Sequence, residues 1–175
     1  MRFSILLSII SFFSLSIFAQ EMPISEENGM VEYIEVVDVD GVSADELYKR
    51  AEKWFGEFYP NAGSVIEKKE AGKKIFGKHK IDLYADVKGN NLHQGFVNYY
   101  IEIGFKEGKY RYKVYNFYKL KGVKVFINEW IDSDASNQEV LNHYLNQVND
   151  FTTELVNSLK ETMRKPLNGE SNDDW

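Results

Sequence analysis

The 175 residues carry 21 basic and 27 acidic side chains, a formal net charge of −6, and no cysteine. The missing cysteines exclude disulfides, a thiol nucleophile, a thiolate metal site and a lipid anchor on cysteine. The acidic balance argues against general binding to nucleic acid, which is mostly electrostatic.

The chain opens on MRFSILLSIISFFSLSIFAQ, one early positive charge at Arg2 followed by an uncharged apolar and serine-rich run. It closes on Ile17-Phe18-Ala19, a small-residue cleavage pattern. The expectation is a signal peptide over residues 1–19, cut after Ala19, and a mature protein that is periplasmic or secreted with no integral membrane segment. Residues 20–29 and 166–175 are polar, acidic and without apolar periodicity, so both are expected to be unstructured. Residues 30–165 then form a single domain.

Met30 to Val37 predicts a strand. In the stretch GVSADELYKRAEKWFGEFYP, Ser43 suits an N-cap, with Glu46 completing a capping box and Val42 placed to staple Leu47. Leu47, Ala51, Trp54, Phe55 and Phe58 share one stripe and Pro60 ends the run, which predicts a short amphipathic helix. Its aromatic residues are read as core rather than as a cofactor platform. Strands are expected over Ser64 to Glu70 and Lys73 to Val87, then a polar loop, KGNNLHQG. VKVFINEW after Lys121-Gly122 alternates as a further strand. Ser136 to about Arg164 reads as a long helix, capped by Ser136 with Glu139 and closed by Pro166.

The stretch FVNYYIEIGFKEGKYRYKVYNFYKL, Phe96 to Leu120, predicts a hairpin about Glu107-Gly108. That turn sets Phe105 opposite Tyr110, Ile103 opposite Tyr112 and Ile101 opposite Val114 on an apolar face. On the other face it sets Gly104 against Arg111, Glu102 against Lys113, Tyr100 against Tyr115 and Asn98 against Phe117. Continuing through Lys121-Gly122 brings Phe117 opposite Phe126 on this second face and Tyr118 opposite Val125 on the first.

The expected architecture is α+β: an antiparallel sheet of about five or six strands with one short and one long helix packed on one face. The second face would remain open and collect Tyr84, Tyr100, Arg111, Lys113, Tyr115, Phe117, Phe126 and Trp130. A contiguous aromatic patch on a soluble protein marks a contact site. These residues are therefore the candidate binding surface for a protein, a glycan or a small molecule. Cover by a loop, by the C-terminal tail or by a second copy, as a homodimer, is the bland alternative.

Three segments carry a family resemblance: VVDVDGVSADELYKRAEKWF, SVIEKKEAGKKIFGKHKI and KEGKYRYKVYNF. From about Val36 to Lys119 the chain resembles an exported bacterial family of unknown function whose domain has a TATA-binding-protein-like (TBP-like) fold. The resemblance implies a helix-on-sheet domain and carries over no catalytic residue. Nor does it imply DNA binding, since a fold name reports shape. The last strand and the long helix, residues 123–164, extend beyond it.

No catalytic constellation stands out. His79, His93 and His143 are far apart, with no HExxH, G-x-S-x-G, P-loop or G-x-G-x-x-G pattern. His79 is expected as a hydrogen-bonded core residue, and His93 as part of the polar loop. Asp38-Val-Asp40-Gly41 and Asp132-Ser-Asp134-Ala-Ser136 lack the sixth-position glycine and distant glutamate of calcium loops. The reading is a non-enzymatic, cofactor-free binding module that uses its open sheet face. The alternative is a helix-grip carrier holding an apolar ligand between Ile81, Leu83, Ile101, Ile103 and the Leu145 to Leu155 stripe.

Overall fold

The computed structural model describes residues 22–131, 133 and 136–167. The expected signal segment and residues 168–175 of the expected tail lie outside them.

The order is β1 (Tyr33–Asp38), α1 (Ala44–Phe58), the single turn α2 (Ala62–Val65), β2 (Ile66–Glu70), β3 (Lys74–Val87), β4 (Asn90–Lys106), β5 (Lys109–Lys121), β6 (Val123–Phe126), a 3-10 turn (Ile127–Trp130) and α3 (Gln138–Arg164). The strands form one antiparallel sheet in the order β1-β5-β4-β3-β2, with β6 also paired to β5. β1 takes residues 109–114 of β5 and β6 takes residues 118–121.

α1 begins where Ser43 Oγ accepts from the Glu46 amide at 3.2 Å. The reciprocal half of the expected capping box is not made, because the Glu46 carboxylate turns along the helix to Arg50, 2.9 Å away. Arg50, nearly buried, also donates to the Met163 carbonyl at 2.9 Å, which ties α1 to the last turn of α3. Trp54 Nε1 donates to Ser158 Oγ at 3.2 Å along the same seam. Leu47, Ala51, Trp54 and Phe55 face Leu145, Val148, Leu155 and Leu159 across one core with Ile75, Leu83, Val97, Ile101 and Ile103 beneath. At 1.5 Å per residue, α3 is about 40 Å long and spans the sheet.

Four local expectations differ. Residues 22–29 fold back as a turn rather than running on unstructured: Ile24 bridges Val31, and Gly29 supplies a φ of 68°. KGNNLHQG is mostly strand, because Lys88 and Gly89, both with positive φ, close a two-residue turn and let β4 start at Asn90. α3 starts at Gln138 after Asn137, not at Ser136, and Asn137 makes no side-chain cap bond. The Gln138 amide instead donates to the Trp130 carbonyl at 3.0 Å. The last expected strand stops at Phe126, where the 3-10 turn breaks its alternation.

The hairpin register holds from Lys106↔Lys109 to Tyr100↔Tyr115. Beyond it, Asn98 pairs with Tyr118 instead of Phe117. Asn116 adopts a left-handed φ of 55° and forms a one-residue bulge in β5. Every later side chain of that strand consequently changes face.

Candidate functional site

Helices α1 and α3 pack on the sheet face formed by the odd-numbered residues of β3 and β4. On the opposite face Tyr100 occupies the centre. Its ring stacks on Phe76 at 5.5 Å and leans against Tyr115 at 5.9 Å, a ladder across three strands. Tyr118 meets Phe126 edge-on at 6.1 Å. Lysines lie over the rings: Lys78 over Tyr100 at 5.7 Å, Lys80 over Phe96 at 4.5 Å, Lys113 over Tyr115 at 4.8 Å and Lys124 over Tyr118 at 4.7 Å. The surface therefore presents ammonium groups on an aromatic floor.

The sheet register explains this composition. Lys74, Lys78 and Lys80 alternate along β3 and face Gly104, Tyr100 and Asn98 of β4, while Arg111 and Lys113 of β5 face Gly104 and Glu102. Lys74 pairs with Glu102 at 3.0 Å and Lys113 with Glu32 at 2.9 Å. Burial, and then the neighbouring Tyr118, hold the Tyr100 hydroxyl above its ordinary pKa; burial and Glu102 do the same for Tyr115. The hydrogen bond to Tyr118 raises Lys78, so its charge is firm at neutral pH. Val36 of β1 and Leu120 of β5 stand 55% and 56% exposed on the same side, and neither helix covers it, although Tyr118 and Asn98 are buried there beneath their neighbours.

Of the eight residues expected there, Tyr100, Arg111, Lys113, Tyr115 and Phe126 lie together on this face. Tyr84 lies at the far hairpin of β3 and β4, its ring against His93 at 5.4 Å. Gln147 of α3 holds the Tyr84 backbone by accepting from its N–H at 2.9 Å and donating to its carbonyl at 2.8 Å. Phe117 is a correction. The bulge turns it to the helix side, where it is buried, edge-on to Tyr33 at 5.8 Å and stacked near Tyr99 at 6.1 Å. Trp130 is the second correction: the 3-10 turn delivers it to the core, 6.4 Å from Tyr144 of α3. The same bulge moves Lys119 to the helix side, where its Nζ donates to the Gln94 carbonyl at 2.6 Å.

Sequence reading missed Phe76 and Tyr118. The period-two alternation of β3 puts Phe76 on the same face as Lys78 and Lys80. Tyr118 needed the bulge. The histidines do not form one site. His93 Nε2 lies 2.8 Å from Asp82 Oδ1, and His143 Nε2 3.1 Å from the Tyr84 carbonyl. His79 is half-buried between Tyr59 and Tyr99, and its Nδ1 has no hydrogen-bond partner, contrary to the expected bonded core residue. Among the described residues no three His, Asp or Glu side chains could hold a metal ion together, and no helix is long and apolar enough to cross a membrane.

Residues 33–119 match the family model described as a domain of unknown function (DUF4468) with TBP-like fold. Among solved structures, a DUF4468 family protein from Bacteroides ovatus is similar, with a TM-score of 0.62 at 18% identity over 82% of this chain and 91% of that one. A TBP-like protein from Parabacteroides distasonis gives 0.56 at 13% identity over 79% and 97%. At these identities the likeness shows the fold alone. No curated protein matches the chain. The expected α+β helix-on-sheet architecture is the observed one, and through residues 33–119 the chain belongs to the DUF4468 family, domains of unknown function with a TBP-like fold.

Proposed function

We propose that this is an exported, non-enzymatic binding module whose contact surface is the bare sheet face. The observation that carries the reading is the Phe76–Tyr100–Tyr115 ladder, overlaid by lysines and left uncovered by both helices. Partly buried rings with cations above them suit an acidic partner, protein or glycan, because the charges steer the encounter and the rings supply apolar area. The chain's overall negative charge disfavours long nucleic acids. The helix-grip alternative is less supported: Leu83, Ile101, Ile103 and Leu155 are completely buried and pack within one continuous core.

The test is titration calorimetry of the mature protein against an oligoglutamate and an oligogalacturonate, with Tyr100→Ala/Tyr115→Ala alongside. The expected result is saturable, salt-sensitive binding of at least one probe, weakened about tenfold or more in a variant that still unfolds cooperatively. Equal affinity in the variant, or no binding of either probe, would refute the reading.

A further inference from the structure

Gly104 sits within β4 on the bare face, directly opposite Arg111. A glycine inside a strand forfeits side-chain packing and weakens the strand, so its presence needs a reason. The backbone supplies none, since Gly104 is not among the positive-φ glycines. Packing supplies none either: a Cβ there would meet only the Lys73 carbonyl, at an ordinary 3.9 Å. Gly77 of β3 is the contrast, for its Cβ would come within 3.1 Å of the Val65 carbonyl and 3.2 Å of Ile101 Cγ2.

What the bare Gly104 backbone opens is a recess of about 460 Å³, within the range of small-molecule sites. Its walls include Lys73, Lys74, Lys106, Lys109, Arg111 and Lys113. Lys74 and Lys113 have carboxylate partners. Among the described residues, no carboxylate lies within ion-pair distance of Lys73, Lys106, Lys109 or Arg111. Glu102 also lines the recess but is paired with Lys74, and Lys73 feels the Glu70 charge, so six cations against one lining carboxylate favour a ligand that returns more than one negative charge. The planar fork of Arg111 matches the paired oxygens of a carboxylate, sulfate or phosphate.

We propose that the Gly104 recess binds a small ligand carrying more than one carboxylate, sulfate or phosphate group, either free or as the acidic unit of a polymer. This rests on the reading of the bare face as the contact surface and names the chemistry of one recess within it. Citrate and pyrophosphate represent the free source, and an oligogalacturonate represents the polymer.

Calorimetry of the mature protein with each probe tests it. Saturable binding is expected for at least one, weakened about tenfold or more by Gly104→Val, which fills the recess, and by Arg111→Ala, which removes the fork. Lys49→Ala, an exposed lysine of α1 on the opposite side of the sheet, should bind as wild type. Binding of citrate or pyrophosphate supports a free ligand, and binding of the oligomer alone supports a polymer unit. Urea unfolding confirms that Gly104→Val is folded, and the exposed Arg111 position is a second probe that leaves the backbone untouched. Absence of saturable binding for all three probes, or wild-type affinity in a folded Gly104→Val, overturns the proposal. If Gly104→Val keeps its affinity while Tyr100→Ala/Tyr115→Ala loses the oligomer, the recess fails and the contact surface stands.

Discussion

Asn98 pairs with Tyr118, and the Asn98 side-chain amide reaches the Tyr118 carbonyl at 3.4 Å. Two residues of β4 thus match three of β5, and the surplus residue is Asn116 with a φ of 55°. That residue assigns Phe117 to the core and Tyr118 to the bare face. Asparagine tolerates this conformation, whereas β-branched residues resist it. Asn116→Val should therefore lose about 1–3 kcal/mol, with Asn116→Gly near wild type, as read from urea unfolding midpoints.

The two aromatic neighbours of Asn116 should then behave differently. Phe117→Ala empties a buried site and should lose about 3–5 kcal/mol. Tyr115→Ala removes a half-buried ring from the open face and should lose no more than about 1–2 kcal/mol. Equal losses in denaturant titrations would contradict the placement of the bulge.

The reach of sequence reasoning follows from these positions. Turn chemistry at Glu107-Gly108 and strict alternation set the register as far as Tyr100↔Tyr115, and the structure keeps it. Period two carries no signal for an extra residue, so the error at Asn116 propagated to Phe117 and Tyr118. Trp130 failed for a related reason: INEW alternates like a strand yet forms a 3-10 turn. The polar loop of residues 88–95 was misread because exposed strand ends are polar too. Helix α1 was legible because cap, stripe and Pro60 agree.

The two strand glycines on neighbouring strands should part company in the same way. Gly77→Ala forces a Cβ against the Val65 carbonyl and should lose about 1–3 kcal/mol. Gly104→Ala makes only an ordinary contact with the Lys73 carbonyl and should be neutral, or gain up to about 1 kcal/mol from strand propensity. Thermal unfolding of both variants distinguishes a glycine kept for packing from one that stability does not require.

His79 should make stability fall on mild acidification. Burial depresses its pKa below the ordinary 6.5, outweighing the Lys80 backbone and the Asp82 charge, which favour the charged form. The unfolded chain then takes up a proton near pH 6.5 while the folded chain does not. The contribution is complete above that pH and is lost as pH falls through the folded-state value. A further loss is expected below pH 4.5, where Glu35, lowered chiefly by its hydrogen bond with Lys160, becomes protonated. His79→Leu should flatten the upper stage only, as followed by urea midpoints across the pH range.

The most direct measurement is an amide NMR titration of the protein with whichever acidic oligomer binds in calorimetry. Signals of β3 to β6 around Tyr100, Arg111, Tyr115 and Phe126 should shift together and saturate, with those of α1 and α3 unmoved. Shifts confined to the helices would contradict the bare sheet face as the contact surface.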